Sequence, residues 1–232
     1  MPVTSLTWNH NGTLLATAST NDTDVLMWDV DQNRNTPLKR IGFPCALLKW
    51  SPSSQRLCAT TVGNVFRVWE TNTWAPERWT IPNGAVQSAA WSPCSSYLLF
   101  VTTEESLLYS LRFVEEQLLG SDSNPKQALP VADLSSMSID GVEVGGQPQN
   151  ICWSPNGKYV AIAFKDSSSI AVFATSINRH LLNISPSFFL NGHTVDEYPS
   201  FICFQPTYRK SSDTVLTIGW STGRVQYFPF IC

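Results

Sequence analysis

The stretch "ALLKWSPSSQRLCATTVGNVFRVWE", residues 46–70, holds three short apolar runs separated by polar turns and ends on Trp69 and the acid Glu70. In its last run, "NVFRVWET" at 64–71, Val65, Arg67 and Trp69 alternate against Phe66, Val68 and Glu70, the period-two pattern of a β-strand. One such run says little. The plan recurs along the chain, and the recurrence decides the fold.

Four other segments follow the same scheme: "TSLTWNHNGTLLATASTNDTDVLMWDV" (4–30), "QSAAWSPCSSYLLFVTTEESLLYSL" (87–111), "QNICWSPNGKYVAIAFKDSSSIAVF" (149–173) and "SFICFQPTYRKSSDTVLTIGWSTGRVQYF" (200–228). Each unit opens with a strand ending in an aromatic: Trp8, Trp50, Trp91, Trp153 or Phe204. A polar turn follows, with Pro two positions on in the last four units. Seven residues beyond the aromatic lie Leu15, Leu57, Leu98 and Val160. The third strand ends on Trp28, Trp69 and Phe173 at nineteen or twenty residues, and Phe228 takes that place in the fifth unit, whose first turn is about four residues longer.

Between the units lie "PLKRIGF", "PERWTIP", "QALPVADLS" and "SFFLNGH", each readable as a fourth strand. Four antiparallel strands per unit, at spacings of 42, 41, 62 and 51 residues between the aromatics, predict β-propeller blades. Blade-like units are expected at 3–43, 45–81, 86–134, 149–191 and 200–230 of a single propeller domain, 1–232. Polar insertions are read as surface loops at 114–127 and 135–148. A lone four-stranded sheet cannot bury both faces, so successive blades must stack. Leu6 and Trp8 share a face of the first strand, as do Leu48 and Trp50, Ile151 and Trp153, and Ile202 and Phe204. The ringed residues are therefore read as wedges between blades, and Asp29 and Glu70 as marking the turn where the chain leaves the third strand.

The ring is expected to be incomplete. Five three-strand units stand against four intervening fourth strands, and no spare strand precedes Val3 or follows Phe230 to seal a circle. Propellers of this repeat usually have seven or eight blades, so the fold class expected is an all-β, WD40-type propeller with about five blades of a seven-bladed ring.

Composition narrows the function classes. At 43% hydrophobic the 232 residues can fill a core. Fifteen Lys and Arg against eighteen Asp and Glu, with no basic block, disfavour direct nucleic-acid binding. The longest apolar runs resemble "YLLFV", far short of the roughly 20 residues that span a bilayer. "MPVTSLTWNHNG" does not read as a signal peptide, so the N-x-S/T triplets at Asn11, Asn21 and Asn183 are read as chance matches. Six cysteines (Cys45, Cys58, Cys94, Cys152, Cys203 and Cys232) show no paired spacing and are read as buried free thiols.

The "WSP-x-G…VWD/E" pattern resembles WD40 repeats in general. More specifically, "PVTSLTW", "VFRVWE", "ERW", "SLLYSL", "VADLS" and above all "GWSTGRV" resemble, in order and spacing, the aladin family of WD-repeat nucleoporins. The resemblance covers almost the whole chain. It implies a non-enzymatic structural component at the cytoplasmic face of the nuclear pore complex, serving nucleocytoplasmic transport. The partners implied are other nucleoporins, including a membrane-spanning one that holds it to the envelope, and a further role at the mitotic spindle is implied. The generic repeat alone would give a second reading, an adaptor or substrate-receptor subunit of another complex.

"NGH" at 191–193 resembles the Gly-His pair that WD40 blades place before their first strand, where the His joins a buried polar network with an Asp of the second turn. Here that turn offers Thr222, so a partial network is expected. Asp196 and Glu197 are read as solvated loop acids. His10 and His180 fall in turns, and no set of three ligands converges by spacing, so no metal is expected. "GVEVGG" at 141–146 lacks the ending of a phosphate loop, and no G-x-S-x-G occurs. A glycosidase on a five-bladed propeller would need carboxylates around the axis, and the first strands offer Ser5, Thr7, Lys49 and Ser88 instead. No catalytic, cofactor or metal residue is assigned. The residues singled out are the structural ones, Trp8, Trp28, Trp50, Trp69, Trp91, Trp153, Phe173, Phe204 and Phe228.

Overall fold

The computed structural model describes residues 2–39, 42–113, 128–139, 141–179, 181–194, 196–206 and 213–231, and among these the chain is all-β. The first sheet is β1 (Ser5–Trp8), β2 (Leu14–Ala18), β3 (Val25–Asp29) and β4 (Arg34–Leu38). The second is β5 (Cys45–Trp50), β6 (Arg56–Thr61), β7 (Val65–Glu70) and β8 (Ala75–Thr80), and the third is β9 (Val86–Trp91), β10 (Tyr97–Thr102), β11 (Leu107–Arg112) and β12 (Leu129–Asp133). A hairpin, β13 (Met137–Ile139) and β14 (Val142–Val144), precedes the fourth sheet of β15 (Pro148–Trp153), β16 (Tyr159–Phe164), β17 (Ser169–Asn178) and β18 (Leu181–Asn191). The fifth is β19 (Pro199–Phe204), β20 (Thr214–Trp220) and β21 (Val225–Phe230). Every sheet is an antiparallel meander in chain order. The first strands of successive sheets touch, β1 with β5, β5 with β9, β9 with β15 and β15 with β19, so they form the inner edge of a propeller's stack of blades.

The stacking has a direction. Leu48, Trp50, Leu57, Ala59 and Trp69 of the second sheet pack on Ala16, Ala18, Val25 and Met27 of the first. Ala89, Trp91, Leu98, Phe100, Tyr109 and Leu111 of the third pack on Cys58, Phe66, Val68 and Trp79 of the second. Ile151, Trp153, Val160, Ile162 and Phe173 meet Tyr97, Leu99, Val101 and Leu108, and Ile202, Leu216 and Ile218 meet Ala161, Ala163, Ile170 and Val172. In each case the face carrying the aromatic enters the opposite face of the preceding blade. Among the described residues two faces have no such neighbour. On the first sheet Leu6, Trp8 and Trp28 are 60%, 46% and 38% exposed, and on the fifth Phe201, Val225 and Tyr227 are exposed. The reading of Trp8 and Trp28 as buried packing residues is corrected accordingly: the wedge face of the first blade is uncovered, and the Trp28 indole N–H instead donates to Thr17 Oγ1 at 2.9 Å. Phe204 and Phe228 are half-buried against the fourth blade.

One turn is reused after four of the aromatics. Asn9, Ser51, Ser92 and Ser154 each follow the Trp, and each side-chain oxygen accepts the backbone N–H five residues on, at Leu14, Arg56, Tyr97 and Tyr159, at 2.9–3.0 Å. Four residues beyond the Trp the backbone turns left-handed, at Gly12, Ser54, Ser95 and Gly157. A serine there has φ 61°, a conformation that costs a residue with a Cβ about 1 kcal/mol. The hydroxyls offset that cost by joining blades: Ser54 Oγ accepts His10 N–H at 2.8 Å and Ser95 Oγ accepts Ser53 N–H at 2.9 Å. A second inter-blade tie recurs on the inner strands, where Leu48 N–H donates to Ser5 Oγ and Ile151 N–H to Ser88 Oγ, at 3.0 and 3.3 Å.

The acids after the third strand also find their cause. Asp29 Oδ1 accepts Gln32 N–H at 2.9 Å, and Glu70 Oε2 accepts the Thr73 hydroxyl at 3.3 Å, so both fasten the hairpin into the fourth strand. That tight turn starts the first blade's fourth strand at Arg34, earlier than the expected 37–43. The 135–148 segment is a hairpin rather than a loop, anchored by buried Leu134 and Val144. Its exit requires Gly145, where φ is +89° and a Cβ would lie 2.6 Å from the Ser135 carbonyl oxygen. The 114–127 insertion, His180 and Cys232 lie outside the described residues. Cys45 and Cys58 are buried free thiols, whereas Cys94 and Cys203 are exposed, Cys94 in the turn after Trp91 and Cys203 on the uncovered face of the fifth sheet.

Trp69→Ala should lower unfolding free energy by about 3–5 kcal/mol through the cavity it opens, while Trp8→Ala should cost less than about 1 kcal/mol. Urea unfolding of both variants checks this, and equal losses would contradict the directional packing. At the turn, Ser95→Ala keeps the left-handed backbone but loses the tie, and should cost about 1 kcal/mol. Ser95→Gly loses the tie while relieving the backbone, and should stay within about 0.5 kcal/mol of wild type by the same measurement.

Candidate functional site

The densest polar cluster sits where the segment entering β19 meets the β20–β21 turn. Glu197, expected at the surface, is 3% exposed. Its carboxylate is caught by the planar fork of Arg224, with Nε to Oε1 at 2.9 Å and Nη2 to Oε2 at 2.7 Å. Thr222 Oγ1 donates to Oε1 at 2.7 Å, and the His193 backbone N–H donates to Oε2 at 2.8 Å. The neighbouring Asp196 is exposed. Sequence reasoning therefore chose the right segment but the wrong partners: His193 contributes its main chain, and Arg224 had gone unnoticed. The pair lies 27 positions apart, so only the threading of blade strands brings it together.

The "GWSTGR" motif is the other half of this clamp. Gly219 lies under the Phe201 ring, and a Cβ there would come within 2.0 Å of it. The Trp220 indole N–H donates to Gln226 Oε1 at 3.1 Å, and the Arg224 guanidinium lies 4.9 Å from the Trp220 ring centroid. Ser221 and Tyr198 bond reciprocally: Ser221 N–H donates to the Tyr198 carbonyl and Tyr198 N–H to Ser221 Oγ, at 2.8 and 3.2 Å. Gly223 turns the chain at φ +84°, which lets Trp220 and Arg224 pair. Each residue of the motif thus has a mechanical task in holding the turn against the loop.

The electrostatics follow. Hydrogen bonds from Arg224 act against the cost of burial and, with those from His193 N–H and Thr222, bring the Glu197 carboxyl down to about 2. Arg224 is raised in turn by its bonds to Glu197. Four donors occupy the four lone-pair positions of the carboxylate, which leaves none for a proton in transit or a metal. The cluster fixes shape. Among the described residues no three His, Cys, Asp or Glu side chains gather at metal-binding distance, and no helix is long and apolar enough to cross a membrane.

The nine ringed residues do not form a site of their own. Trp50, Trp69, Trp91, Trp153 and Phe173 are buried between blades, Phe204 and Phe228 partly so, and Trp8 and Trp28 face outward. The propeller frame built by these residues is matched by one family across its length: the sequence model of the aladin seven-bladed propeller fits residues 1–231. The chain belongs to the aladin propeller family. It is 29% identical to Aladin of Arabidopsis thaliana over 235 aligned residues, covering 99% of this chain and 51% of that protein. The chain thus spans about half the length of this curated aladin relative.

The clamp predicts an acid-sensitive aladin blade. Because the folded-state value lies below the ordinary 4.5, the stabilisation by Glu197 is fully present above about pH 4.5 and is lost as pH falls toward 2. Glu197→Gln should lower the melting temperature at pH 7 and flatten its decline between pH 5 and 2. Thermal unfolding across that range checks it, and parallel curves for wild type and variant would contradict the assignment.

Proposed function

We propose that this chain supplies a non-enzymatic scaffold of the nuclear pore complex, presenting propeller surfaces to other proteins in nucleocytoplasmic transport. Its membership of the aladin family over nearly every residue carries the reading. The physics of the fold supports it: stacked blades hold their turns in fixed geometry, the arrangement through which propellers bind partners. The buried carboxylate of the fifth blade is saturated by hydrogen bonds and serves shape rather than turnover.

The partners in this reading are other nucleoporins, including a membrane-spanning one, at the cytoplasmic face of the pore, with a further place in spindle assembly. Neither a cofactor nor direct contact with nucleic acid belongs to the proposal.

Localisation of the full-length protein tests it. A fluorescent fusion should mark a punctate rim at the nuclear envelope, and affinity capture should return nucleoporins. Diffuse cytosolic signal, or capture of ubiquitin-ligase or chromatin subunits without nucleoporins, would replace the reading with that of a general adaptor.

A further inference from the structure

The sequence holds five Ser-Pro or Thr-Pro pairs, beginning at Thr36, Ser51, Ser92, Ser154 and Ser185, and the fold treats them in two ways. Ser51, Ser92 and Ser154 are buried, and each side-chain oxygen is spent on the turn after its tryptophan, accepting Arg56, Tyr97 or Tyr159 N–H at 2.9–3.0 Å. Thr36 and Ser185 are exposed on fourth strands, β4 and β18. We propose that Thr36 is a phosphorylation site, read by a proline-directed protein kinase through Pro37 and Lys39.

The first support is sequence chemistry. "NRNTPLKR" at 33–40 puts proline directly after the hydroxyl residue and a cation three positions on. Proline has no N–H, so it enters a pocket that offers no acceptor, where any other residue would leave a donor unmet. Its ring also holds the preceding residue extended, the form in which a kinase cleft takes a peptide. Lys39 supplies a charge-assisted contact to an acidic group of the enzyme.

The second support is position. β4 is the outermost strand of the first sheet, where a proline is tolerated because the strand pairs on one side. Four of its five residues are exposed, and the fifth, Leu38, is half-buried against the core. A strand so weakly held can part from β3 locally, which presents its residues to a cleft while the blade stays folded. Ser185 lacks these features. Ile184 and Phe188 on either side of it pack on two core clusters, and the residue three positions on is Phe188 rather than a cation.

In the transfer, the γ-phosphorus of ATP parts from its bridging oxygen and bonds to Thr36 Oγ1. The hydroxyl proton passes to the base of the kinase, and ADP leaves. The product places roughly two negative charges on the outer rim of the first blade. Arg34 lies one pleat away on the same face of β4, so its guanidinium can pair with the new phosphate. The blade's core residues Ala16, Val25 and Met27 belong to β2 and β3, so the modification changes what the rim offers a partner and spares the fold. This site stands independently of where in the cell the protein works.

The test incubates the full chain with a cyclin-dependent kinase and magnesium ATP, and maps the phosphate by mass spectrometry. Thr36 should be the main site, with Ser51, Ser92 and Ser154 unlabelled. Thr36→Val should keep the melting temperature and lower phosphate incorporation about tenfold or more, and Lys39→Glu should slow labelling about fivefold or more. A free peptide of residues 30–42 should be labelled as well, which shows that the kinase reads the motif. An unlabelled peptide would overturn the proposal, as would a labelled peptide beside a chain unlabelled at Thr36. Faster labelling at Ser185 than at Thr36, or rates indifferent to Lys39→Glu, would overturn it too.

Discussion

The structure depends on an asymmetry between the two faces of each sheet. One face carries the bulky rings, as in Trp50 and Trp69 of the second blade, and the other carries smaller side chains such as Ala16, Ala18 and Val25. An indole buries about 200 Å² when seated in such a surface, so a single ring contributes several kcal/mol at about 25 cal/mol per Å². Face fits face only in one sense, and that sense is repeated at every junction between consecutive blades. The outward exposure of Trp8 and Tyr227 follows from the same rule: one presents a wedge face and the other the face that receives a wedge.

The turns add specificity to this packing. Apolar contact alone would tolerate sliding, whereas a hydrogen bond between adjacent turns has one register. Ser54 and Ser95 show how that register is held, because each accepts left-handed backbone so that its hydroxyl can reach the preceding turn. Gly12 and Gly157 take the same conformation, at φ +71° and +74°, as the residue type that adopts it without strain. Glycine and serine at this position are therefore two answers to one geometric demand, and Ser54 and Ser95 add a hydrogen bond to the preceding turn.

Much of this was legible in the sequence because propeller packing is periodic. Aromatic spacing, the Pro-bearing turns and the strand alternation are local signals, and they place Trp50, Trp69, Trp91 and Trp153 in successive units before any coordinates. What escaped depends on neighbours. Periodicity assigns Trp8 and Trp28 the same role as their counterparts, yet their burial needs a surface on the far side. Glu197 reads as a loop acid because Asp and Glu are usually solvated, and its burial depends on Arg224 arriving from a separate turn. The β13–β14 hairpin hid behind Gly and Ser residues whose composition resembles a loop, and its anchors Leu134 and Val144 are recognised as such only by their burial.

Arg224 shows how one arginine can lock two distant segments of a blade together. Arg224 faces a carboxylate of its own chain, stacks on Trp220 and shares Gln226, so its donors are spent on holding a turn. Removing either member of that pair leaves a buried group without its partner, which damages the blade itself. The lock of the fifth blade therefore belongs to its architecture, since two segments far apart in sequence hold their register through this one carboxylate.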